Sequence, residues 1–434
     1  MGQEALSAAS PIHGATPAPS RAILRRETRT LNPSGGMALL RTLARTSLVP
    51  ILLGPYGAAA WAQDVDVDLH GYAQAALVRT PGDLGTADGG YGKLAQGGAR
   101  AQVEPQFATG LIEATADLPW DLGALIDVQY GLKQKSPVDL TTAALHWQPP
   151  PDGAWRWSAK LGAFFPPFGL ENRDIGWSSP WTLTPSTLAS WVGEELRTVG
   201  GEGTVAWVNG ENSLALTAAV YGWNDPAGVV LATRGWDLGQ QPTGLFGHVR
   251  LPDGPAPQYT PEFKEIDDAP GWYAGLAGQN AALGRLQIYR YDNEVDPTAE
   301  RQEVYAWHTR FWDAAYTKGW GPFYVIAEGI AGDTRISPDG DGPYVTDFHS
   351  AYLLGGWTRD AWRAALRLEQ FGTGGYAAEH GRSLTATLNW QPEDWLRLSA
   401  EVVAVASTSQ ARVEAGLSAR ATDVEPQLGV RLSF

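Results

Sequence analysis

The chain of 434 residues contains no cysteine. That excludes a disulfide framework and a thiolate metal site, so stability has to come from burial and backbone pairing. No segment offers about twenty consecutive uncharged apolar residues, which excludes a membrane-spanning helix. Basic residues are few: 32 Lys and Arg stand against 47 Asp and Glu, and a negative balance argues against a nucleic-acid partner. The seven His are scattered without a His-x-x-x-His pair, so no metal or other cofactor is expected. Ser350 beside His349 is the nearest approach to a nucleophile and base, but neighbours in a strand point to opposite faces. No catalytic constellation is expected, and the chain does not read as an enzyme.

Only two Met occur, Met1 and Met37. The second opens a secretory signal pattern: Arg41 and Arg45, then the apolar stretch 48–60, then Ala60-Trp61-Ala62 with cleavage expected before Gln63. Residues 1–36, rich in Arg, Pro and Ser, read as an upstream extension or mis-called start. Residues 37–62 read as the signal peptide and residues 63–434 as one exported domain. That domain carries 26 basic and 45 acidic residues, a surface compatible with divalent cations held between lipopolysaccharide phosphates.

What is abundant is Gly (51), Trp (19) and Tyr (15), together with period-two alternation. In 424–434, Leu428, Val430, Leu432 and Phe434 share one face while Gln427, Gly429, Arg431 and Ser433 share the other. Sixteen such segments are expected near 67–79, 106–118, 121–132, 139–148, 155–165, 197–208, 212–223 and 271–279. The remaining eight lie near 282–292, 302–315, 321–332, 346–357, 361–371, 382–390, 394–405 and 424–434. Their connections alternate between tight turns and long loops, among them 80–105, 166–196 and 224–270. Trp120, Trp147, Trp155, Trp207, Trp320, Trp357, Trp362, Trp390 and Trp395 all lie beside the tight turns. Indole rings gather at bilayer–water interfaces, and a transmembrane barrel with both termini on one side needs this rhythm of loops. The expected fold is all-β, a transmembrane antiparallel β-barrel of about 16 strands with short periplasmic turns and long extracellular loops. Closure leaves no edge unpaired in lipid, and sixteen strands enclose an aqueous lumen.

The last strand, ending on Phe434, resembles the C-terminal strand of bacterial outer-membrane proteins, where the final Phe belongs to the signal read by the barrel-assembly machinery. A second resemblance lies in Lys160-Leu161-Gly162-Ala163-Phe164-Phe165-Pro166-Pro167-Phe168-Gly169-Leu170-Glu171-Asn172. It is similar to the strand-then-loop motif of the phosphate-selective porin O/P-like family. There a Gly-x-Phe…Pro-Phe-x-x-Glu pattern opens the constriction loop. The resemblance implies a trimeric sixteen-stranded porin of the outer membrane that passes small anions such as phosphate. The chain departs from the pattern in having few Lys and a negative balance.

Loop 166–196 is the expected constriction, with Phe168, Glu171, Arg173, Asp174, Trp177, Trp181, Glu194 and Glu195 as its functional side chains. Thr184 is placed as the N-cap of a short helix with Pro185 at its first position. Alternation places Arg156, Lys160, Arg285, Arg363, Arg367, Glu369, Arg397 and Glu401 on polar faces, with Arg197 at the end of the loop, as a mixed-charge pore lining. The leading expectation is passive diffusion of small hydrophilic solutes. The alternatives are a channel specific for sugars or aromatic acids, stacking on rings such as Tyr289 and Tyr291, and a plugged barrel serving as enzyme or adhesin.

Overall fold

The computed structural model describes residues 65–434 apart from 99, 132, 240, 253–258, 339–341 and 376. The extension 1–36 and the signal peptide 37–62 with its cleavage point lie outside the described residues. Sixteen antiparallel strands close into one barrel in sequence order. They are β1 (Asp66–Thr80), β2 (Gln102–Leu118), β3 (Leu122–Tyr130), β4 (Val138–Trp147), β5 (Trp155–Phe164), β6 (Thr198–Asn209), β7 (Asn212–Gly222) and β8 (Gly271–Asn280). There follow β9 (Gly284–Asp292), β10 (His308–Trp320), β11 (Phe323–Ile336), β12 (Tyr344–Arg359), β13 (Trp362–Thr373), β14 (Glu379–Glu393), β15 (Leu396–Ser409) and β16 (Arg420–Ser433).

Each strand displays the alternation its sequence carries. In β13, Trp362, Leu366 and Leu368 are exposed while Ala365, Arg367 and Glu369 are buried. The same rule places Leu286, Ile288, Leu353, Leu384, Leu398 and Leu428 on the outside. Lipid, and not water, accommodates a continuous apolar belt of this kind. No helix among the described residues is long and apolar enough to cross a membrane. At the tight-turn end, Trp120, Trp147, Trp155, Trp207, Trp320, Trp362, Trp390 and Trp395 are all exposed, which forms the aromatic girdle.

The seam joins β1 to β16 from Tyr72 opposite Ser433 to Val78 opposite Gln427. Gly71 and Phe434 then exchange backbone hydrogen bonds of 3.2 and 3.0 Å. A Cβ on Gly71 would lie 2.6 Å from the Phe434 ring and 2.5 Å from the Leu111 carbonyl. Gly71→Val should therefore force ring and strand apart at a cost of about 1–3 kcal/mol. The expected result is a lower temperature for conversion of the compact, unheated gel band to the unfolded one. An unchanged conversion temperature would show that the seam does not depend on this contact.

The tenth strand begins at His308, where the sequence places it at 302. Gln302 and Glu303 take positive φ angles of 56° and 63° and turn the chain into a rim hairpin pairing Glu300–Arg301 with Val304–Tyr305. The Asn293 side chain then accepts from the Thr309 N–H at 2.8 Å and sets the point where barrel pairing starts.

The lumen is not uniformly aqueous. Phe168, Trp191, Tyr221, Trp236, Tyr273, Tyr289, Tyr291, Phe311 and Phe348 form a buried aromatic core inside it. Loop 166–196 and residues 224–239 fold inward and contribute Phe168, Trp191 and Trp236 to this core, filling space that sixteen strands alone leave open.

Candidate functional site

Loop 166–196 begins where Pro166 and Pro167 deny β5 further ladder hydrogen bonds. Gly169, at φ 71°, turns the chain inward, and the Gly169 and Leu170 N–H groups donate to the Glu328 carboxylate at 2.9 and 2.8 Å. Phe168 packs edge-on against Phe311, Tyr273 and Tyr289. Further along, the Leu183 and Thr184 N–H groups donate to Glu401 at 2.7 and 2.9 Å, and the Thr187 N–H donates to Glu369 at 2.8 Å. Three wall carboxylates on β11, β13 and β15 thus satisfy backbone donors of a loop that has no ladder of its own.

Arg367 completes the anchorage. It is fully buried, pairs with Glu171 and with Glu369 (2.7 Å), and donates to the Thr184 and Pro185 carbonyls at 2.9 and 3.0 Å. Arg363 donates to the Pro180 carbonyl at 2.7 Å and lies over the Trp181 ring. Arg367, Glu369 and Glu401 are on the inward faces where alternation puts them, but the loop covers them. They hold loop 166–196 in place and do not face open space.

The short helix α1 spans Thr187–Glu195 and is capped by Ser186, whose side chain accepts from Ala189. The cap lies two residues beyond the expected Thr184. The reason is the anchorage: Glu401 and Glu171 draw the N–H groups of Leu183, Thr184 and Ser186, so the helix begins only after Ser186. Thr184 Oγ1 instead accepts from Gln427 at 2.7 Å.

Between the loop and the wall formed by β1–β3 and β16 lies a narrow cavity of about 40 Å³, lined by Tyr72, Gln74, Thr109, Gln129, Asn172 and Arg431 among others. Trp177 borders it, stacked on Phe165. Arg397 and Arg431 stand directly opposite each other in register, and Asp174 lies 3.8 Å from each. Nε and Nη2 of buried Arg397 have no hydrogen-bond partner among the described residues. Arg431 spends its donors on Gln74 (2.8 Å) and Ser178 (3.1 Å). Across the gap, Glu113 on β2 accepts from the Gly176 N–H at 3.4 Å.

The other expected lining residues are dispersed. Arg156 folds back onto the Gly153 and Trp155 carbonyls, and Lys160 pairs with Glu202 at 3.0 Å. Arg285 is buried beside Gln287, while Arg173 is exposed and donates to the Leu170 carbonyl. Arg197 is buried behind the loop, 3.5 Å from the Phe165 ring centre and 2.8 Å from the Thr243 carbonyl; burial pulls its pKa down to about 9. Glu194 and Glu195 sit at the buried end of α1, away from the cavity lining. Tyr289 and Tyr291 belong to the aromatic core. Ser350 faces inward and bonds Thr187 at 2.8 Å, whereas His349 is exposed on the other face.

Sequence reasoning passed over Glu328, Tyr72 and Gln74. Glu328 had a signal, as the single acid between Ile326 and Ile330 on an inward apolar face. For the amide and hydroxyl lining of the cavity there was none.

Fold and site define a closed sixteen-stranded antiparallel barrel narrowed by an infolded loop. No family model and no curated protein matches the sequence. Among solved structures, the chain is similar to a loop-deletion mutant of OmpT, an outer-membrane protein of Vibrio cholerae, at 11% identity and TM-score 0.49, covering 85% of this chain and 99% of that one. It is also similar to an anion-selective porin from Comamonas acidovorans (11% identity, TM-score 0.48, 86% and 100% covered). A third is Salmonella typhi OmpF with daunomycin (10%, TM-score 0.45, 85% and 97% covered). Likenesses at this level carry nothing about solute or selectivity.

Proposed function

We propose that the exported chain 63–434 is an outer-membrane porin that lets small hydrophilic solutes diffuse passively past loop 166–196. The observation that carries this reading is the narrow cavity left where the loop, anchored on β11, β13 and β15, meets the wall of β1–β3 and β16 through only a few contacts such as Gly176 to Glu113 and Ser178 to Arg431. The apolar belt and Trp girdle support a bilayer location. The proposed partners are outer-membrane lipid and lipopolysaccharide around the belt, the barrel-assembly machinery at the Phe434 strand, and two further copies in a homotrimer.

Small anions, phosphate among them, are the favoured solutes in this reading. Arg363, Arg397 and Arg431 crowd one wall with Asp174 as their nearest loop counter-charge, and fixed charge selects by sign. The aromatic core favours a second reading, a barrel plugged tightly enough to conduct nothing. Vesicle swelling separates the two. Proteoliposomes in isotonic monosaccharide should swell faster than in disaccharide, and rates equal to those of protein-free vesicles would overturn the porin reading.

A further inference from the structure

A second cavity, of about 150 Å³, lies on the long-loop side of loop 166–196 and adjoins the narrow one, since Gly239 and Gln241 border both. Residues 86–96 form one side of it, Lys133 and Gln134 of the β3–β4 connection a second, and 241–250 a third. Its charged lining is Lys133, Arg234 and Arg250 against Glu194. Glu194 is spent on Arg234 at 2.6 Å, and Lys133 reaches Asp88 at the rim at 2.7 Å. Two lining donors are left over. Arg234 is buried, and its Nε has no hydrogen-bond partner among the described residues. Lys135 donates to His248 Nε2 at 3.3 Å, which leaves the ring proton on Nδ1, and Nδ1 is likewise buried without a partner. Buried donors without an acceptor are costly, so the cavity suits a ligand rich in acceptor oxygens. Gln96 gives its carbonyl to Lys133 (2.9 Å) and Gln106 its NH₂ to Glu104 (3.0 Å). That leaves one amide donor and one amide acceptor for hydroxyl groups. No aromatic ring lines the cavity among the described residues, so a neutral sugar or an aromatic acid finds no face to stack on.

We propose that this cavity is a binding site for small hydroxylated carboxylates, anionic polyols of the gluconate class. Arg234, His248 and Arg250 supply donors to the carboxylate, and the Gln96 and Gln106 amides take the hydroxyls, which both donate and accept. Lys133 adds to the positive surplus that favours an anion over a neutral polyol. Size agrees with this class. One water needs about 10–15 Å³ of such space, so the cavity has room for about ten non-hydrogen atoms, a hydroxy acid of about four to six carbons. The narrow cavity below, at about 40 Å³, has room for about three. A hydroxy acid seated above it therefore lies over the entrance and obstructs smaller ions. The binding site stands without the porin reading; only the obstruction rests on that reading.

The test uses the folded chain 63–434, the double variant Lys133→Met with Arg250→Met, and Arg250→Gln alone. Both positions lie outside the barrel strands, and a compact unheated gel band confirms that each variant is folded. Binding of sodium gluconate, sorbitol and sodium acetate is measured by calorimetry in detergent. Gluconate should bind at least about tenfold more tightly than sorbitol, which lacks the charge, or acetate, which lacks the hydroxyls. The double variant should lose at least about tenfold in gluconate affinity, with Arg250→Gln in between. No gluconate binding, sorbitol or acetate bound equally well, or a double variant as tight as the wild type would each overturn the site. In a planar bilayer, gluconate added on the long-loop side should reduce chloride current saturably, with half-block at the calorimetric Kd. Undiminished current with the site saturated would overturn its placement over the entrance. Gluconate binding by a protein that passes no current at all would uphold the site and remove the porin reading instead.

Discussion

Replacing Arg367 with Met is expected to detach the constriction loop from the barrel wall. Arg367 is buried between Glu171 of the loop and Glu369 of β13 and also holds the Thr184 and Pro185 carbonyls. Its removal strands two fully buried carboxylates, and breaking a buried pair in this way costs about 3–5 kcal/mol. Thermal conversion of the folded gel band should fall well below that of the wild type, and the noise of single-channel current should rise as the loop gains freedom. The double variant Arg367→Met with Glu171→Gln should recover part of the loss, because one of the stranded charges is gone. A single variant as stable and as quiet as the wild type would show that the loop is held by its backbone contacts to Glu328 and Glu401 alone.

The second large effect concerns ion preference. Arg397→Glu with Arg431→Glu exchanges two of the three basic charges on the wall for acidic ones and leaves Asp174 in place. Opposite charges a few ångströms apart in water interact by about 1 kcal/mol, so reversing two should swing the anion-to-cation permeability ratio by at least tenfold. The reversal potential in a salt gradient is expected to change sign. A reversal potential that stays put would place the selective charges elsewhere, with Lys160 and Arg156 on the opposite side as the next candidates. Arg431 bonds Ser178, and both arginines lie 3.8 Å from Asp174, but neither holds the Glu171, Glu369 or Glu401 anchors, so the fold should survive this exchange better than the loss of Arg367.

Strand placement was legible because lipid and lumen impose a strict period of two. Trp362 to Glu369, Leu384 to Trp390 and Leu396 to Glu401 each carry that pattern without interruption. The indoles beside the tight turns were equally informative, since their position reports an interface and not a packing partner. What alternation cannot state is what covers an inward face. Arg367, Glu369 and Glu401 read as pore lining and prove to be the sockets of a loop. The same gap explains the shifted helix cap: nothing local in Thr184-Pro185-Ser186 reveals that carboxylates 217 and 15 residues away take these backbone N–H groups. The infolding of 224–239, with Trp236 donating its indole N–H to the Gly372 carbonyl at 3.0 Å, left no trace in any periodic pattern.

The central claim is that a solute path runs between loop 166–196 and the wall of β1–β3. Current through the purified chain 63–434 in a planar bilayer, under a tenfold salt gradient, tests it most directly. Discrete conductance steps with a reversal potential of anion-preferring sign are the expected result. A folded, membrane-inserted protein that gives no steps at any voltage would contradict it, leaving the aromatic core and its two loops as a plug.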